Sequence, residues 1–475
     1  MIILNCVGSG LLNLIPSLNR FGLSAFPAWV ASAVGAFAVV VAFVRIGEFC
    51  KLEDYAIQNV VAAPFSGKTF EVLRRSAFWA YWIFGIVGNG VIAMSLIRGL
   101  EYFFPFFATE YEITTYFIIF GVFYFFNRFG VDISRSINLL MSSLKILIMA
   151  IFPLCALFVL PSRIPIEGSL FDISFAAKAM FLTVWPFVGI ESVLMERDVD
   201  KKTLVPAMFF GLLGCLAIYV VNMFVMMTNI PNLGECSSPY SELFKIVFPN
   251  SAFAPIFVNA AIVLMTSGSM YGWTYIAVVT CMSAKDIVPA ALMKENRYGI
   301  PEIILMISSF VPCLLLAFVK KAMPGSNAFE LIVDICVALL LCIYALGIVG
   351  FARTKWQSWQ MFLEARSVAR TVESGDVGMI YARSVNDAGA ESGAISYNGV
   401  LGYGASLANR ACSVSACPAG QCPFLWWLRS NAFDLVLLLV ASAFVLLAFA
   451  CSPLLLTAIG SMLFLVPMGY YAAVL

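Results

Sequence analysis

The sequence has no histidine among its 475 residues, and only 12% of those residues are charged. Without histidine, the chain cannot use histidine-based acid–base catalysis, haem ligation or histidine-containing metal sites. Soluble globular domains carry about 25% charged residues, so a chain that is 62% hydrophobic and 12% charged is not one of them. The net charge of +1 provides no general attraction for nucleic acid.

Other motifs that the sequence lacks exclude further classes of function. The sequence contains no Gly-x-x-x-x-Gly-Lys-Ser/Thr loop, which argues against pumping powered directly by ATP. Its 13 cysteines lie mostly in apolar segments, where a thiol behaves as a small core residue. Cys412, Cys417 and Cys422 do not have the Cys-x-x-Cys spacing of metal sites, and only Cys236 falls in a predicted outer loop. We expect no metal, cofactor, catalytic residue or external disulfide.

Apolar runs close to the roughly 20 residues that cross a bilayer recur along the whole chain. They predict an all-α integral membrane protein with about twelve spans. The predicted spans are residues 2–20, 26–46, 76–98, 113–128, 137–160, 174–195, 203–228, 252–282, 301–320, 328–352, 431–450 and 453–473.

The distribution of lysine and arginine predicts the orientation in the membrane. Basic residues concentrate in segments 45–75, 197–202, 285–297 and 353–429, whereas the alternate loops, such as 229–250, have few. Because basic loops stay in the cytoplasm, both termini of this multi-pass chain are predicted to be cytoplasmic. Lys320 and Lys321 are an exception on the outer side.

The same pattern divides the chain into three parts. Residues 1–353 form a predicted transmembrane core of ten spans, and residues 429–475 form the last two. Between them, residues 354–428 are polar and rich in serine, glycine and alanine, which predicts a flexible cytoplasmic loop. Because Met1 directly precedes apolar residues with no charged lead, we expect no signal peptide and a clipped first span.

Two predicted spans contain helix breakers. "TVWPFVGIESVLMERDVD", residues 183–200, places Pro186, Gly189 and Glu191 in the sixth span. "NCVGSGLLNLIP", residues 5–16, places a Gly-Ser-Gly group in the first. Irregular backbone in a membrane is tolerated only where it lines a cavity or is buried in protein. Each break alone is compatible with a packing kink, but paired breaks in spans one and six favour a binding site of the inverted-repeat transporter type.

The motifs that surround these breaks resemble one family. "GSG" in span one, "YWIFGIVGN" in span three, "WPFVGIES" and "DVDKKTLVP" around span six, and "GWTYIAVVTCMSAKDIVPAAL" around span eight follow one another in the expected order. Apart from the 354–428 insertion, the chain resembles the amino acid-polyamine-organocation superfamily. The positions most similar to its bacterial arginine/agmatine antiporter branch are Asn5, Ser9, Tyr81, Asn89, Trp185, Glu191 and Trp273.

The resemblance implies a five-plus-five inverted-repeat (LeuT-like) core with discontinuous helices one and six. It also implies a secondary amino-acid transporter that works by alternating access and exchanges a cationic amino acid for a related amino acid or amine. Its partners would be a small amino acid or amine, the lipid bilayer, protons and a second copy in a homodimer. The expected location is the inner (cell) membrane of a bacterium.

The resemblance further implies roles for individual residues. The backbone amides of Gly8, Ser9 and Gly10, near Asn5 in span one, would bind the substrate carboxylate, together with the hydroxyl of Ser9. These residues come from the first interruption, and the sixth span would supply the opposite side of the site.

Span six and its neighbours would supply the walls of that site. Trp185, with the carbonyls of Trp185 and Val188, would cover the α-amino group, since an indole face attracts a cation. Trp273 would form the middle wall, and Tyr81 and Asn89 would complete the pocket. In a chain with 14% aromatic residues, each of these rings taken alone is more often a packing residue.

Three ionisable residues lie within predicted spans. Because a charged side chain is costly inside a membrane, such residues indicate a functional site. Glu191 is expected to act as a proton-sensitive gate or as a counter-charge, with a structural carboxylate held by freed amides as its alternative. Asp334 could face a cationic side chain, pair with another charge or play a local structural role. Lys145 matches the span-five lysine of proton-coupled relatives, which the arginine/agmatine branch generally lacks.

Lys145 therefore keeps a second function open, proton-coupled symport or uniport of a neutral amino acid. A transporter-derived nutrient sensor is a further alternative, for which residues 354–428 are the one supporting feature. An intramembrane enzyme would need a nucleophile with a base or metal ligands at helical spacing, and the sequence has no such pair.

Overall fold

A computed structural model describes residues 10–107, 109, 111–129, 146–160, 164–170, 172–195, 201–236, 238–322, 328–373, 423–452 and 454–474. Within these ranges the regular elements are helices, apart from one isolated bridge between Glu295 and Pro301. The predicted all-α membrane class is confirmed. No residue before Gly10 is among those described, so the first interruption lies outside them.

The first eight α-helices lie before residue 230. They are α1 (Gly10–Asn19), α2 (Ala25–Phe49), α3 (Ile57–Ala62), α4 (Gly67–Glu101), α5 (Glu112–Asn127), α6 (Phe152–Val159), α7 (Ile173–Val184) and α8 (Lys201–Asn229). A π-helical turn over Leu147–Ile151 precedes α6. The helices that follow are α9 (Pro239–Val247), α10 (Phe253–Met282), α11 (Glu302–Ala322), α12 (Ala328–Glu373), α13 (Pro423–Ser430), α14 (Ala432–Cys451) and α15 (Leu454–Val474).

Each of the twelve predicted spans contains a helix or part of one. In the described part of the chain, seven helices are long and apolar enough to cross a bilayer. They are Gly22–Phe49, Gly67–Glu101, Leu204–Asn229, Phe253–Met282, Glu302–Ala322, Ala328–Glu364 and Ala432–Ala450. Four other predicted spans contain shorter apolar helices. The total of twelve membrane crossings therefore remains a prediction.

Helix α4 is the central element of the transmembrane core. In its most apolar stretch 94% of the residues are buried, against 28% in α8 and α14. Neighbouring helices account for this burial, since α4 packs most extensively against α10 and also against α11 and α15. It is therefore positioned to bring side chains from spans three and eight together.

The chain forms two compact units, and residues 349–439 are the second of them. In this unit, α12 continues to Glu373, well beyond residue 354, where a flexible loop was predicted to begin. The extension has a local cause, since residues 351–373 contain neither glycine nor proline, whereas a glycine, Gly375, stands two positions after residue 373. The indole of Trp359 lies 5.2 Å from that of Trp427.

One ion pair joins α4 to the turn that follows α10. Arg74 bonds to the carboxylate of Asp286, and it also donates from Nε to Oδ1 of Asn59 on α3 at 3.0 Å. The hydrogen bond and positive charge of Arg74 lower the pKa of Asp286 below its ordinary value of 3.8. The stabilisation from this pair is complete above the unfolded pKa and disappears as pH falls through the folded pKa.

We therefore expect Asp286→Asn to lower the melting temperature near neutral pH, and the difference from the wild type to shrink as pH falls below 3.8. Thermal unfolding of the detergent-solubilised protein across this pH range measures the effect. Glu53→Gln, at an exposed carboxylate at the same end of the helices, is the control. A difference that stays constant down to the lowest pH would assign the effect to packing and not to charge.

Candidate functional site

The sixth span is interrupted where Pro186 and Gly189 predicted it. Helix α7 ends at Val184 and is followed by a 3-10 turn over Trp185–Phe187. Val188 is extended, Gly189 has a φ of +103°, and a second 3-10 turn covers Ile190–Met195. The missing amide of proline and the left-handed glycine together stop the helix.

Protein groups satisfy backbone atoms that the interruption frees. The hydroxyl of Tyr219 donates to the carbonyl of Pro186 at 2.8 Å, and the amide of Val188 donates to the carbonyl of Trp185 at 3.1 Å. The amide of Gly189 donates to both carboxylate oxygens of Glu191, each at 3.1 Å. These hydrogen bonds stabilise the interruption, because unpaired backbone groups in a membrane interior are costly.

Gly189 is required by its backbone conformation. We expect Gly189→Ala to destabilise the protein by about 1–3 kcal/mol, since L-residues rarely adopt such a φ. Gly121→Ala on α5 is the matched control: a Cβ there meets no atom within 4 Å, and alanine is the better helix former. Thermal unfolding of both variants checks the contrast. Equal stability of the two variants would mean that the conformation at Gly189 carries no strain.

Glu191 lies in a cage of hydrogen-bond donors and is only 1% exposed. The hydroxyl of Tyr81 on α4 donates to one carboxylate oxygen, and that of Tyr344 on α12 donates to the other, both at 3.3 Å. Together with the amide of Gly189, these donors tie the interrupted helix to spans three and ten. The predicted Glu191 and Tyr81 are thus brought together. Tyr344 was missed, although it stands out in the aliphatic stretch "LCIYALG".

An aromatic cluster lies next to this cage, and Phe84 is its centre. The Phe84 ring centroid lies 6.1 Å from that of Trp185, 5.8 Å from that of Trp273 and 5.8 Å from that of Tyr81. Phe84 is fully buried, whereas both indoles are half-buried. The two predicted tryptophans therefore share one neighbour, and edge-to-face packing fixes their orientation.

Trp185 also packs closely against the backbone of α4. A Cβ added at Gly88 would lie 3.1 Å from Cη2 of the indole, so a larger side chain would displace the ring. The neighbouring Asn89 is fully buried and donates to Oγ1 of Thr274 at 3.4 Å. Among the described residues its Oδ1 has no hydrogen-bond partner. Such an acceptor is costly when left unpaired, and a ligand N–H would satisfy it.

Other predicted site residues are not part of this cluster. Asn5, Gly8, Ser9 and Lys145 lie outside the described residues, and Gly10 is the first residue of α1. Val188 is buried in the interruption itself.

Asp334 is buried on α12, ten residues or about 15 Å of helix before Tyr344. This separation keeps it out of the Glu191 cage. Within the part of the chain that the structure describes, Asp334 has no ion pair, so the pairing considered from the sequence is not found there.

Two cavities lie at one end of α4, beside the short turn Leu233–Glu235. Their volumes are 670 and 480 Å³, and both are lined by Arg98, Glu235 and Cys236. Arg98 also donates to Oδ1 of Asn13 on α1. Sequence reasoning missed Arg98, because an arginine at the end of an apolar run resembles an ordinary membrane-boundary residue.

Comparison with known proteins finds antiporters that are similar to this chain in sequence. The arginine/ornithine antiporter of Latilactobacillus sakei is 21% identical over 385 residues, covering 76% of this chain and 78% of that protein. The arginine/agmatine antiporter of Chlamydia pneumoniae is 25% identical over 369 residues, covering 70% of this chain and 74% of that protein. A solved nucleobase-cation-symport-1 family transporter has a TM-score of 0.46 and 12% identity, over 90% of this chain and 91% of that one.

The amino acid permease family matches residues 1–370, which is most of the chain. The match extends over the interrupted helix, the Glu191 cage and the aromatic cluster. The protein is thus a multi-pass membrane transporter for small amino-acid substrates and not an enzyme. The chain belongs to the amino acid permease family.

Proposed function

We propose that this permease is a secondary transporter that exchanges a cationic amino acid, of the arginine or ornithine type, for a related amino acid or amine. The observation that carries the proposal is the pair of half-buried indoles of Trp185 and Trp273 packed on Phe84 beside the buried carboxylate of Glu191. Indole faces attract cations, and a buried carboxylate favours positive charge nearby. Two relatives, at 21% and 25% identity, are named as arginine antiporters.

The cluster suggests how a substrate would be held. The indole of Trp185 would cover the α-amino group, and the unpaired Oδ1 of Asn89 would accept an N–H from the substrate. The substrate carboxylate would bind at the amides of residues 8–10, at the start of α1, where a helix N-terminus favours an anion. These contacts would leave Trp273 as the wall nearest the side chain.

The Glu191 cage would act as a gate on the path through the protein. Its hydrogen bonds join α4, the interruption and α12, so a passage between these elements requires some of the bonds to break. Protonation of Glu191 would weaken them, because a neutral carboxyl is a poorer acceptor than a carboxylate. Alternating access would then be sensitive to pH.

One sequence feature favours a second function. Lys145 matches the lysine of proton-coupled relatives, and its ammonium could take the place of a bound cation, which supports proton-coupled uptake of a neutral amino acid. Such a transporter would need no exchange partner inside the vesicle. It would respond to a pH gradient instead.

The orientation and location are part of the proposal. The basic segments support cytoplasmic termini, and the bacterial origin of the two relatives supports a bacterial inner membrane. A homodimer is proposed from the family resemblance alone. Cross-linking in native membranes would test the assembly.

The function is tested with the full chain in proteoliposomes. Uptake of labelled arginine is measured into vesicles preloaded with arginine, agmatine, ornithine, alanine or buffer, at an acidic and at a neutral external pH. We expect uptake only when a cationic partner is inside. Uptake into empty vesicles driven by a pH gradient, or stimulation of uptake by internal alanine alone, would contradict the exchange of cationic amino acids. Either result would support the proton-coupled function instead.

A further inference from the structure

A third cavity lies outside the site described above, at the opposite end of α5 from Glu112. Its volume is 510 Å³, within the range of small-ligand pockets. Its lining includes Phe125, Arg128, Arg297, Tyr298 and Glu302. These residues come from the end of α5, the start of α11 and the hairpin between α10 and α11.

The hairpin is docked on the end of α5 by specific contacts. Asn296 donates from Nδ2 to the carbonyl of Arg128 at 3.2 Å, and its own amide donates to the carbonyl of Ile300 at 2.9 Å. The ring centroid of Phe129 lies 5.5 Å from that of Tyr298. The two arginines are therefore held around one cavity by the fold.

The cavity carries one more positive than negative charge. Arg128 pairs with Glu302 at 2.9 Å, and Tyr124 donates to the same carboxylate at 2.9 Å. Arg297 lies over the ring of Tyr298, with Cζ at 4.7 Å from the centroid, and has no carboxylate partner among the described residues. Its exposed guanidinium thus presents unused donors in a planar fork that suits a phosphate.

The face of α5 that leads to the cavity is apolar and exposed. Ile118 is 57% exposed, Val122 45% and Phe125 54%, and Phe125 also lines the cavity. In a membrane permease such a face contacts acyl chains. A lipid on this face would therefore place its headgroup at Arg128 and Arg297, on the side predicted to be cytoplasmic.

We propose that the cavity binds the phosphate headgroup of an anionic phospholipid, whose acyl chains lie along α5. Basic pockets between helices on the cytoplasmic side are suited to such headgroups. Arg297 supplies the charge that Glu302 does not neutralise, and Tyr298 keeps the guanidinium in place. The site is separate from the Glu191 cage and does not depend on the transported substrate.

Native mass spectrometry of the detergent-solubilised full chain, titrated with phosphatidylglycerol or phosphatidylcholine, tests this assignment. We expect wild type to retain phosphatidylglycerol selectively and Arg297→Gln to bind it about fivefold more weakly. Lys294→Gln, at an exposed basic residue of the same hairpin that does not line the cavity, is the matched control and should bind as wild type. Arg297→Lys, which keeps the charge, should retain most of the binding.

Three results would overturn the proposal. The first is equal retention of both lipids by wild type. The second is equal binding of phosphatidylglycerol by Arg297→Gln and Lys294→Gln. The third is displacement of the lipid by glycerol phosphate at the same concentration as the lipid. The last would identify a site for free phosphate esters. The melting temperature of each variant checks that the compared proteins are equally folded.

Discussion

Trp185→Leu is expected to lower the rate of arginine exchange in proteoliposomes by about 30-fold or more, because a desolvated cation–π contact contributes about 2 kcal/mol. Leucine removes the indole face that would cover the α-amino group, and it also removes the ring packed against Phe84 and Gly88. Trp185→Phe keeps an aromatic face and should lose less. The measurement is the initial rate of labelled arginine uptake into arginine-loaded vesicles.

The control for this experiment is the same substitution at an exposed tryptophan. Trp356 is 61% exposed, so Trp356→Leu should exchange arginine at the wild-type rate. If Trp185→Leu retained wild-type exchange while remaining folded, the indole would be a packing residue and the substrate site would have to lie elsewhere. If Trp185→Phe exchanges arginine at the wild-type rate while Trp185→Leu does not, the result would support recognition of the cation by an aromatic face.

Glu191→Ala is expected to destabilise the protein by about 3 kcal/mol or more. The substitution removes the carboxylate that the amide of Gly189 and the hydroxyls of Tyr81 and Tyr344 share as an acceptor, and hydrogen bonds to a charged group contribute about 1.5–3 kcal/mol each. Glu191→Gln keeps one acceptor oxygen and should cost less. Thermal unfolding in detergent measures both, with the exposed Glu242→Gln as the surface control.

The two Glu191 variants also separate a gate from a purely structural carboxylate. If Glu191 is the proton-sensitive group, exchange by Glu191→Gln should be the same at acidic and neutral pH, whereas exchange by wild type should change. A wild-type pH profile in Glu191→Gln would leave the carboxylate with a structural role only. Rates are compared at equal amounts of folded, reconstituted protein.

The sequence alone determined the features that depend on local chemistry. The apolar runs predicted helices in each of the twelve segments, because a buried helix must be apolar over most of its length. Pro186 and Gly189 predicted where the sixth span breaks, since proline lacks an amide and only glycine adopts the φ of +103° readily. The motifs around these residues indicated the family that matches residues 1–370.

Composition predicted the end of α12 too early in the chain. Residues 354–373 are polar enough to be predicted as loop, yet they lack glycine and proline and continue the helix of the tenth span. Polarity predicts that a segment leaves the membrane, not that it leaves the helix, because a helix satisfies its own backbone hydrogen bonds in water as well as in lipid. The length of such an extension is set by breakers, and here Gly375 follows its end.

Only the tertiary structure decided which side chains meet. Glu191 is held by Tyr81, 110 positions earlier in the chain, and by Tyr344, 153 positions later. Phe84 joins two tryptophans from different spans, while Asp334 stays apart from the cage although it is the more conspicuous residue of α12. Sequence periodicity identifies the buried face of each helix, but the rotation and depth at which helices pack determine the contacts across that face.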